Sequence, residues 1–455
     1  MGPFRYHVFV CEQQKAEGVP CCAARGSAKV LEALRKEVAQ RGLANDVLVT
    51  PCGSFGLCDR GPNMIVYPEG VWYSSVGPQD VPEIVKSHLQ GGQVVERLAN
   101  KDTAALKQEI CSNRDKAIAA QRAQAAFGVL PDEMNRTLRG FQESRVVLTA
   151  VELDLFTAVG SGATAAEVAA RVGGDPRATE MLLNALVAMG WLAKHGAIFS
   201  NSPASARYFA AGSADDWRAA TLHVAHLWET WSTLTECVRA GTSVTRQAKA
   251  GRGEDWTTAF IAAMHRNARA RAPLVVSAVG TDGVSRMLDV GGGSGAYSIA
   301  FASAKENLEV DLLDLAEVLP ITQGHIEDAG LAGRIRTRPG DLRSDQLGVG
   351  YDLVLVSAIC HMLGVDENGD LVRRCFQALA PGGRLVIQDF ILEPDKTAPK
   401  SAALFALNML VGTRGGSTYT EAEYAAWLAE AGFEDARHVR LPGPSGLIIG
   451  RRSRS

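Results

Sequence analysis

The run Leu288-Asp-Val-Gly-Gly-Gly-Ser-Gly295 limits the architecture of this chain more than any other stretch. Met287 to Val290 read as a short buried parallel strand, and Ala296 to Ser303 as the helix that follows it. Between them Gly291, Gly293 and Gly295 give a tight turn with no Cβ in the way of a ligand, and they leave the N–H groups of the helix N-terminus free for an anion or carboxylate. A glycine turn alone is weak evidence, because many strand–helix turns need glycine for its backbone freedom. A second apolar strand, Leu308 to Asp314, ends in an acid about 20 residues beyond the last glycine, where a carboxylate would grip a ribose diol. Together they predict a doubly wound nucleoside-binding unit with Asp314 as the ribose ligand.

Strand and helix alternate from there onward. Tyr351 to Val356 reads as a strand, a helix follows near Glu367 to Leu379, and Pro381-Gly-Gly383 turns the chain into a strand from Arg384 to Asp389. Thr420 opens a further helix as a cap, with Glu423 three residues on, and residues 436–441 and 446–450 are the last strands. The alternation predicts a parallel sheet with helices on both faces, and in such sheets ligands sit beyond the carboxyl ends of the strands. Asp289, Asp314, Asp341, His361 and Asp389 fall at such ends. A pyrophosphate site has the spacing G-x-G-x-x-G, whereas here the glycines run G-x-G-x-G behind Asp289. That acid repels a pyrophosphate but suits the ammonium of an amino-acid-bearing nucleoside such as S-adenosylmethionine. His361 is the general-base candidate, since an imidazole titrates near neutrality, and Asp389 is placed to hold its tautomer. The alternative is a helix-start histidine with no chemical role.

With 455 residues the chain should hold two or three domains. A net charge of −3 argues against a nucleic-acid surface, and no apolar run approaches the ~20 residues of a membrane span. The start, Met1-Gly-Pro-Phe-Arg-Tyr-His, leads directly into Val8-Phe-Val10 without a signal-peptide core, so a cytoplasmic location is expected. Of nine cysteines, Cys11, Cys21, Cys22, Cys52 and Cys58 lie in the first 60 residues. A strand at His7 to Val10, a loop over residues 12–22, a helix capped by Ser27, a strand at Asp46 to Thr50, a hairpin about Pro68-Glu-Gly70 and a helix from Val81 to Leu89 make a small α/β domain. Cysteines on two of its loops suggest a thiolate-ligated metal centre, with a redox dithiol or inert thiols as the alternative.

Asp102 to about Gln124 reads as a helical linker, being polar and without an obvious core. Beyond it, helices at Ala163 to Arg171 and from Asp175 to Met189, followed by the hairpin strands Trp191 to His195 and Ala197 to Ser200, form a winged-helix arrangement. Arg177, Glu180, Leu182, Leu183 and Asn184 on its second helix suit packing better than DNA. His223, His226, Trp228, Met264 and His265 lie on later helices where a substrate lid would form, and Asn408 is a further substrate candidate.

Two resemblances follow from these residues. Phe9-Val-Cys11, Cys22-Ala-Ala-Arg-Gly-Ser27, Cys58-Asp-Arg-Gly-Pro62 and Tyr67-Pro-Glu-Gly-Val-Trp-Tyr73 resemble the thioredoxin-like [2Fe–2S] ferredoxins over residues 6 to 98. The resemblance implies a cluster with Cys11, Cys22 and Cys58 at the first, second and fourth ligand positions, while the third falls on Ser54. Cys52, two residues earlier, is the expected substitute; ligation by Ser54 through oxygen, or loss of the cluster, are the alternatives. Leu288 to Gly295, Asp314-Leu-Ala-Glu-Val318, Gly340-Asp-Leu342, His361, Pro381-Gly-Gly383 and Gly415-Gly416 resemble the class I S-adenosylmethionine-dependent O-methyltransferases that carry a winged-helix dimerisation domain, such as the plant phenolic and acetylserotonin enzymes. That resemblance implies cofactor contacts from Asp289, Gly291, Gly293, Gly295, Asp314, Leu315, Asp341 and Leu342, His361 as base and Asp389 as its first acid. The family's second acid falls on Thr418, and its Asp-Trp after the histidine is Met362-Leu363 here.

The expected architecture is therefore α/β and multidomain: a thioredoxin-like ferredoxin domain over 1–98, a helical linker over 99–129, a winged-helix dimerisation domain with lid helices over 130–275, and a Rossmann-like methyltransferase domain over 276–455. The expected reaction is methyl transfer to a hydroxyl of an aromatic or heteroaromatic small molecule, hydroxybenzimidazole-like acceptors included, in a homodimer with a redox partner protein. A redox-sensing or electron-transfer ferredoxin on a ligand-binding methyltransferase fold, and C-methylation of a tetrapyrrole, are the competing readings.

Overall fold

The computed structural model describes residues 3–15, 19–126, 128, 130–213, 215–245 and 254–454, so residues 16–18 of the expected first loop lie outside the described residues. The chain divides into two compact units, residues 1–141 and 142–455.

The first unit is a four-stranded sheet with helices packed on it. Its elements are β1 (Tyr6–Cys11), α1 (Ser27–Gln40), β2 (Val47–Cys52), β3 (Met64–Tyr67), β4 (Val71–Tyr73), α2 (Val81–Ile84, continued as a wider turn to Gln90) and α3 (Thr103–Ala126). The sheet order is β2-β1-β3-β4, with β2 parallel and β3 antiparallel to β1. Val30, Leu31, Leu34 and Val38 recur at helical spacing on α1 and bury one face against Val8, Val10 and Val66 of the sheet. Ser27 is not the cap expected of it. Gly26, in the left-handed region at φ 87°, precedes the helix, and Ser27 is its first residue, buried with its hydroxyl unpaired. Nor is α3 merely a spacer. Leu106 is buried, Asn113 Nδ2 donates to the Gly56 carbonyl at 2.8 Å, and Glu109 pairs with Arg60, so the helix is docked on the loop that leads to Cys58.

The second unit begins with helices around a small sheet. These are α4 (Asp132–Glu152), which starts before the division at residue 141 and whose Leu148, Ala150 and Val151 are buried, α5 (Leu155–Val159), β5 (Ala163–Thr164), α6 (Ala165–Val172), α7 (Pro176–Ala188), β6 (Leu192–His195), β7 (Ile198–Asn201) and α8 (Pro203–Tyr208). The strands order β5-β7-β6, all antiparallel, which completes the winged-helix pattern. Its helix starts are written in the sequence: Thr164 and Glu167 form a capping box on α6, and Asp175 caps α7 ahead of Pro176. Helices α9 (Arg218–Ser232), α10 (Leu234–Ala240) and α11 (Glu254–Val279) follow. Ala272, Val275 and Val279 carry α11 into the core of the large sheet.

That sheet is built from β8 (Arg286–Val290), α12 (Ala296–Ala304), β9 (Glu309–Asp314), α13 (Leu319–Asp328), β10 (Ile335–Pro339), β11 (Tyr351–Ser357), α14 (Val365–Ala378), β12 (Leu379–Asp389), the short strand β13 (Ile391–Leu392), α15 (Lys400–Gly412), β14 (Tyr419–Thr420), α16 (Glu421–Ala431), β15 (Glu434–Arg440) and β16 (Gly446–Arg451). Seven strands order β10-β9-β8-β11-β12-β16-β15. The first five are parallel, but β16 runs antiparallel between β12 and β15, so the sheet is not wholly parallel as expected. Both faces are covered. On β11, Val354 and Val356 join a core with α14 and α16, while Leu353 and Leu355 join one with α11, α12 and α13. β10 was not expected, because Ile335-Arg-Thr-Arg-Pro339 offers a single large apolar residue; it pairs as the exposed edge beside β9.

Candidate active site and cysteine site

In-register pairing sets the site. Val290 lies opposite both Leu313 and Val356, and Ser357 opposite Gln388, so β8, β9, β11 and β12 end together and bring Asp289, Asp314, the turn after β11 and Asp389 to one edge of the sheet. The glycine loop follows β8. A Cβ on Gly291 would stand 2.5 Å from Ile359 Cδ1, and one on Gly292 2.5 Å from Leu312 Cγ, so both are small because the loop is packed from below. Gly293, at φ 55°, has nothing within 4 Å of its Cβ position: the loop is open there. Thr322 Oγ1 fastens the loop through the Gly293 carbonyl at 2.5 Å.

Asp314 accepts Gly293 N–H and Leu315 N–H, both at 2.7 Å, and burial pushes its carboxyl above the usual range. Leu315 is exposed beside it, while Asp341 accepts Arg343 N–H and Leu342 rests on the adjoining core. Asp289 is fully buried. Its Oδ2 accepts from Ser298 Oγ at 2.6 Å, and its Oδ1 has no partner. Burial, with Asp314 nearby, raises its carboxyl to about 6. An unpaired carboxylate oxygen sealed under an open glycine loop is what a ligand ammonium needs, so these residues fit S-adenosylmethionine.

His361 sits on a short turn after β11, entered through Ala358 at φ 57°, a left-handed conformation uncommon for alanine. Its Nδ1 meets Asp389 Oδ1 at 2.7 Å, its backbone N–H donates to Asp389 Oδ2 at 3.0 Å, and Phe390 N–H donates to Asp389 Oδ1 at 2.8 Å. An ionised carboxylate can only accept, so Nδ1 carries the proton and Nε2 is left as the basic nitrogen. Phe405 stands edge-on to the imidazole at 4.9 Å and stacks on Phe390 at 4.0 Å. One turn on, Asn408 Oδ1 accepts Trp231 Nε1–H at 2.9 Å. Thr418, at the missing second acid, is buried and donates to the Ala402 carbonyl at 3.0 Å, so its hydroxyl is already committed.

The remaining substrate candidates part company. His226 is exposed on α9. Met264 lines a cavity of about 240 Å³ with Leu148, Trp217 and Val224. His265 reaches the glycine loop instead: its Nδ1 meets Ser294 Oγ at 2.9 Å, its ring stacks on His325 at 3.8 Å, and burial lowers its imidazole to about 4. Phe390, Phe405 and Trp231 were not anticipated. The spacing of Phe405 and Asn408, three apart on one helix, and the position of Phe390 directly after Asp389, were the available signals.

In the first unit the cysteines gather at the ends of β1 and β2 and in the loop before β3. Cys22 beside Cys11, with the N–H groups of Gln13 and Phe55, draws the Cys11 thiol down to about 6. Asn63 Nδ2 donates to Cys22 Sγ at 3.5 Å. Ser54 Oγ lies 3.4 Å from Cys58 Sγ. Cys52 Sγ is directed at the Val10 carbonyl, 3.4 Å away, and burial raises its thiol to about 11. Among the described residues no three Cys, His, Asp or Glu side chains converge as on a single metal ion. A two-iron cluster needs something else, two protein ligands on each iron, and the two contact pairs have that form. A donor set of three sulfurs and one hydroxyl oxygen thus fits such a cluster.

The sequence matches the O-methyltransferase dimerisation domain over residues 135–211 and the O-methyltransferase domain over residues 231–434. It is 34% identical over 319 residues to 3-hydroxy-5-methyl-1-naphthoate 3-O-methyltransferase of Streptomyces sahachiroi, covering 68% of this chain and 92% of that one. A solved structure of PigF with SAH superposes at a TM-score of 0.66 with 27% identity over 71% of this chain and all of that one. The N-terminal part is 42% identical over 96 residues, 21% of this chain, to 94% of the length of the 2Fe-2S ferredoxin of Clostridium pasteurianum. With the Asp289–Asp314 loop and the His361–Asp389 pair in place, the chain belongs to the S-adenosylmethionine-dependent O-methyltransferases and carries at its N-terminus a segment of the 2Fe-2S ferredoxin family.

Proposed function

We propose that the enzyme methylates a hydroxyl on an aromatic or heteroaromatic small molecule, with His361 as the general base. The observation that carries this reading is the His361–Asp389 pair beside stacked Phe390 and Phe405. Bound S-adenosylmethionine supplies an electrophilic methyl group. Asp289 receives its ammonium, Asp314 its ribose, and Leu315, Asp341 and Leu342 border its base. His361 Nε2 takes the acceptor's hydroxyl proton, and Asp389, already holding Nδ1–H, stabilises the imidazolium that forms. Phe405 and Phe390 offer an apolar wall for an aromatic ring, and Trp231 with Asn408 borders it. The relative that acts on a hydroxylated naphthoate supports a fused or multi-ring phenolic acceptor. The dimerisation-domain match, with Leu138 and Phe141 exposed on α4, supports a homodimer. The ferredoxin segment is proposed to hold a [2Fe–2S] cluster and to serve a redox partner or to sense redox state.

The test is methyl transfer from labelled S-adenosylmethionine to hydroxylated naphthoates, benzimidazoles and porphyrins, run anaerobically with the protein oxidised and reduced. Turnover on a phenolic acceptor that is lost in His361→Gln supports the reading. Labelling of carbon alone, or full activity in the variant, removes it.

A further inference from the structure

We infer that the cluster position left without its cysteine is filled by the Ser54 oxygen and not by Cys52. This rests on the proposal that the ferredoxin segment holds a two-iron cluster. The ligand atoms already stand in two pairs, Cys11 with Cys22 and Ser54 with Cys58, the second pair at 3.4 Å. Phe55, adjacent to Ser54, has its N–H among the groups that lower the Cys11 thiol, so the two pairs are neighbours. On the other side Gly61 lies so close to Cys22 that a Cβ there would sit 2.8 Å from Cys22 Sγ, and Gly61 belongs to the same short segment as Cys58.

Ser54 Oγ is also prepared to carry charge. Gly56 N–H donates to it at 3.1 Å, and Gly56 is itself pinned from α3 by Asn113 on its carbonyl and by Ile110, which packs where a Cβ on Gly56 would point. Ligation replaces the Ser54 O–H bond with an iron–oxygen bond and releases the proton to water; the Gly56 N–H then faces an alkoxide, a stronger hydrogen bond than it now makes. Cys52 is placed otherwise. It closes β2 as the ladder partner of Cys11, and its sulfur is turned to the Val10 carbonyl. To serve the cluster its sulfur would have to leave the Val10 carbonyl and turn toward Cys58, where Ser54 already stands. A hard oxygen donor in place of a soft thiolate favours the oxidised iron, so the cluster potential should lie below that of an all-cysteine site.

The full-length protein, purified and reconstituted without oxygen, should contain two irons per chain. Cys52→Ala should keep the iron, the visible spectrum and the potential of the wild type. Ser54→Ala should lose iron or change the spectrum, and Ser54→Cys should raise the potential and strengthen the sulfur-to-iron charge-transfer bands. Alkylation of the native holoprotein gives the same answer without a variant: Cys52 should label with the cluster intact. Iron loss or a spectral change in Cys52→Ala, or a Cys52 that labels only as iron leaves, assigns the position to Cys52 and overturns the inference. A wild type that takes up no iron overturns the cluster reading beneath it.

Discussion

Asp289 gives the most direct test of how this protein holds its cofactor. The carboxyl is fully buried, one oxygen is bonded to Ser298, the other is unpaired, and burial raises its titration to about 6. If the ligand ammonium is received by the ionised form, affinity scales with the ionised fraction of the free protein. With a titration at about 6 that fraction is about nine-tenths at pH 7 and about one-tenth at pH 5. The dissociation constant for S-adenosylhomocysteine, which carries the same amino-acid group, should therefore rise about tenfold between pH 7 and pH 5. An ordinary aspartate, titrating near ~3.9, would stay ionised throughout and give almost no change. Calorimetric titration at half-unit steps reads the curve. Asp289→Asn should bind on the order of 10²-fold more weakly, from loss of about 3 kcal/mol of a buried charge contact, and its affinity should lack this slope.

The same shift has a stability consequence of opposite sense. Between its unfolded titration and about 6 the folded protein holds a proton at Asp289 that the unfolded chain has lost. The contribution to stability is thus fully present below ~3.9 and is lost as pH rises through about 6, at most about 3 kcal/mol for a shift of roughly two units. Cofactor-free wild type should lose stability relative to Asp289→Asn from pH 4 to pH 7, and saturating ligand should remove that difference. The neighbours are separable. Asp314 is also raised by burial but is retained in the asparagine variant, and His265, lowered to about 4, titrates below most of the binding window. A flat wild-type binding curve, or an Asp289→Asn curve as steep as the wild type, refutes the reasoning.

Three further outcomes follow from the same geometry. His361→Gln should lower turnover about 10²- to 10⁴-fold with S-adenosylhomocysteine affinity unchanged, as initial rates and calorimetry will show; unaltered turnover ends the general-base assignment. Asp314→Ala should abolish cofactor binding while the fold, followed by thermal melting, persists, since its two partners are backbone N–H groups of exposed loops. Gly291→Ala and Gly293→Ala share a left-handed backbone, at φ 68° and 55°, but only the first collides with Ile359; it should lower the melting temperature further, by the equivalent of about 1–3 kcal/mol, while Gly293→Ala also weakens cofactor affinity, and equal melting temperatures would contradict the packing described.

The C-terminal half was legible where chemistry coincides with strand ends. Asp289, Asp314 and Asp389 each close or nearly close an apolar strand, and parallel pairing in register is enough to bring them to one edge. What sequence could not give were contacts that depend on how helices return. His265 resembles any lid histidine, yet α11 lays it on Ser294 of the glycine loop, and His226, next to buried Ala225, faces solvent. β10 was missed because an edge strand needs only one apolar side; β16 was foreseen as a strand, but not its antiparallel direction, because an antiparallel insertion leaves no mark in an apolar run such as Leu447-Ile-Ile449. The docking of α3 was hidden for a related reason: it rests on Asn113, Glu109, Leu106 and Ile110, too little to make an apolar stripe.

Thr418 shows how sequence and geometry combine. Against the resemblance, a missing second acid leaves the histidine without half of its support. In the structure Asp389 supplies that support with both oxygens, one to the imidazole and one to the His361 backbone N–H, while Phe390 N–H keeps the carboxylate in place. The threonine hydroxyl, turned to the Ala402 carbonyl, ties the loop before β14 to α15, the helix that also carries Phe405 and Asn408. Asp389 alone therefore holds the His361 imidazole, and Thr418 supports the helix that carries Phe405 and Asn408. Departures from a family pattern at this site are accordingly to be sought in which acceptor fits, more than in whether a methyl group is moved.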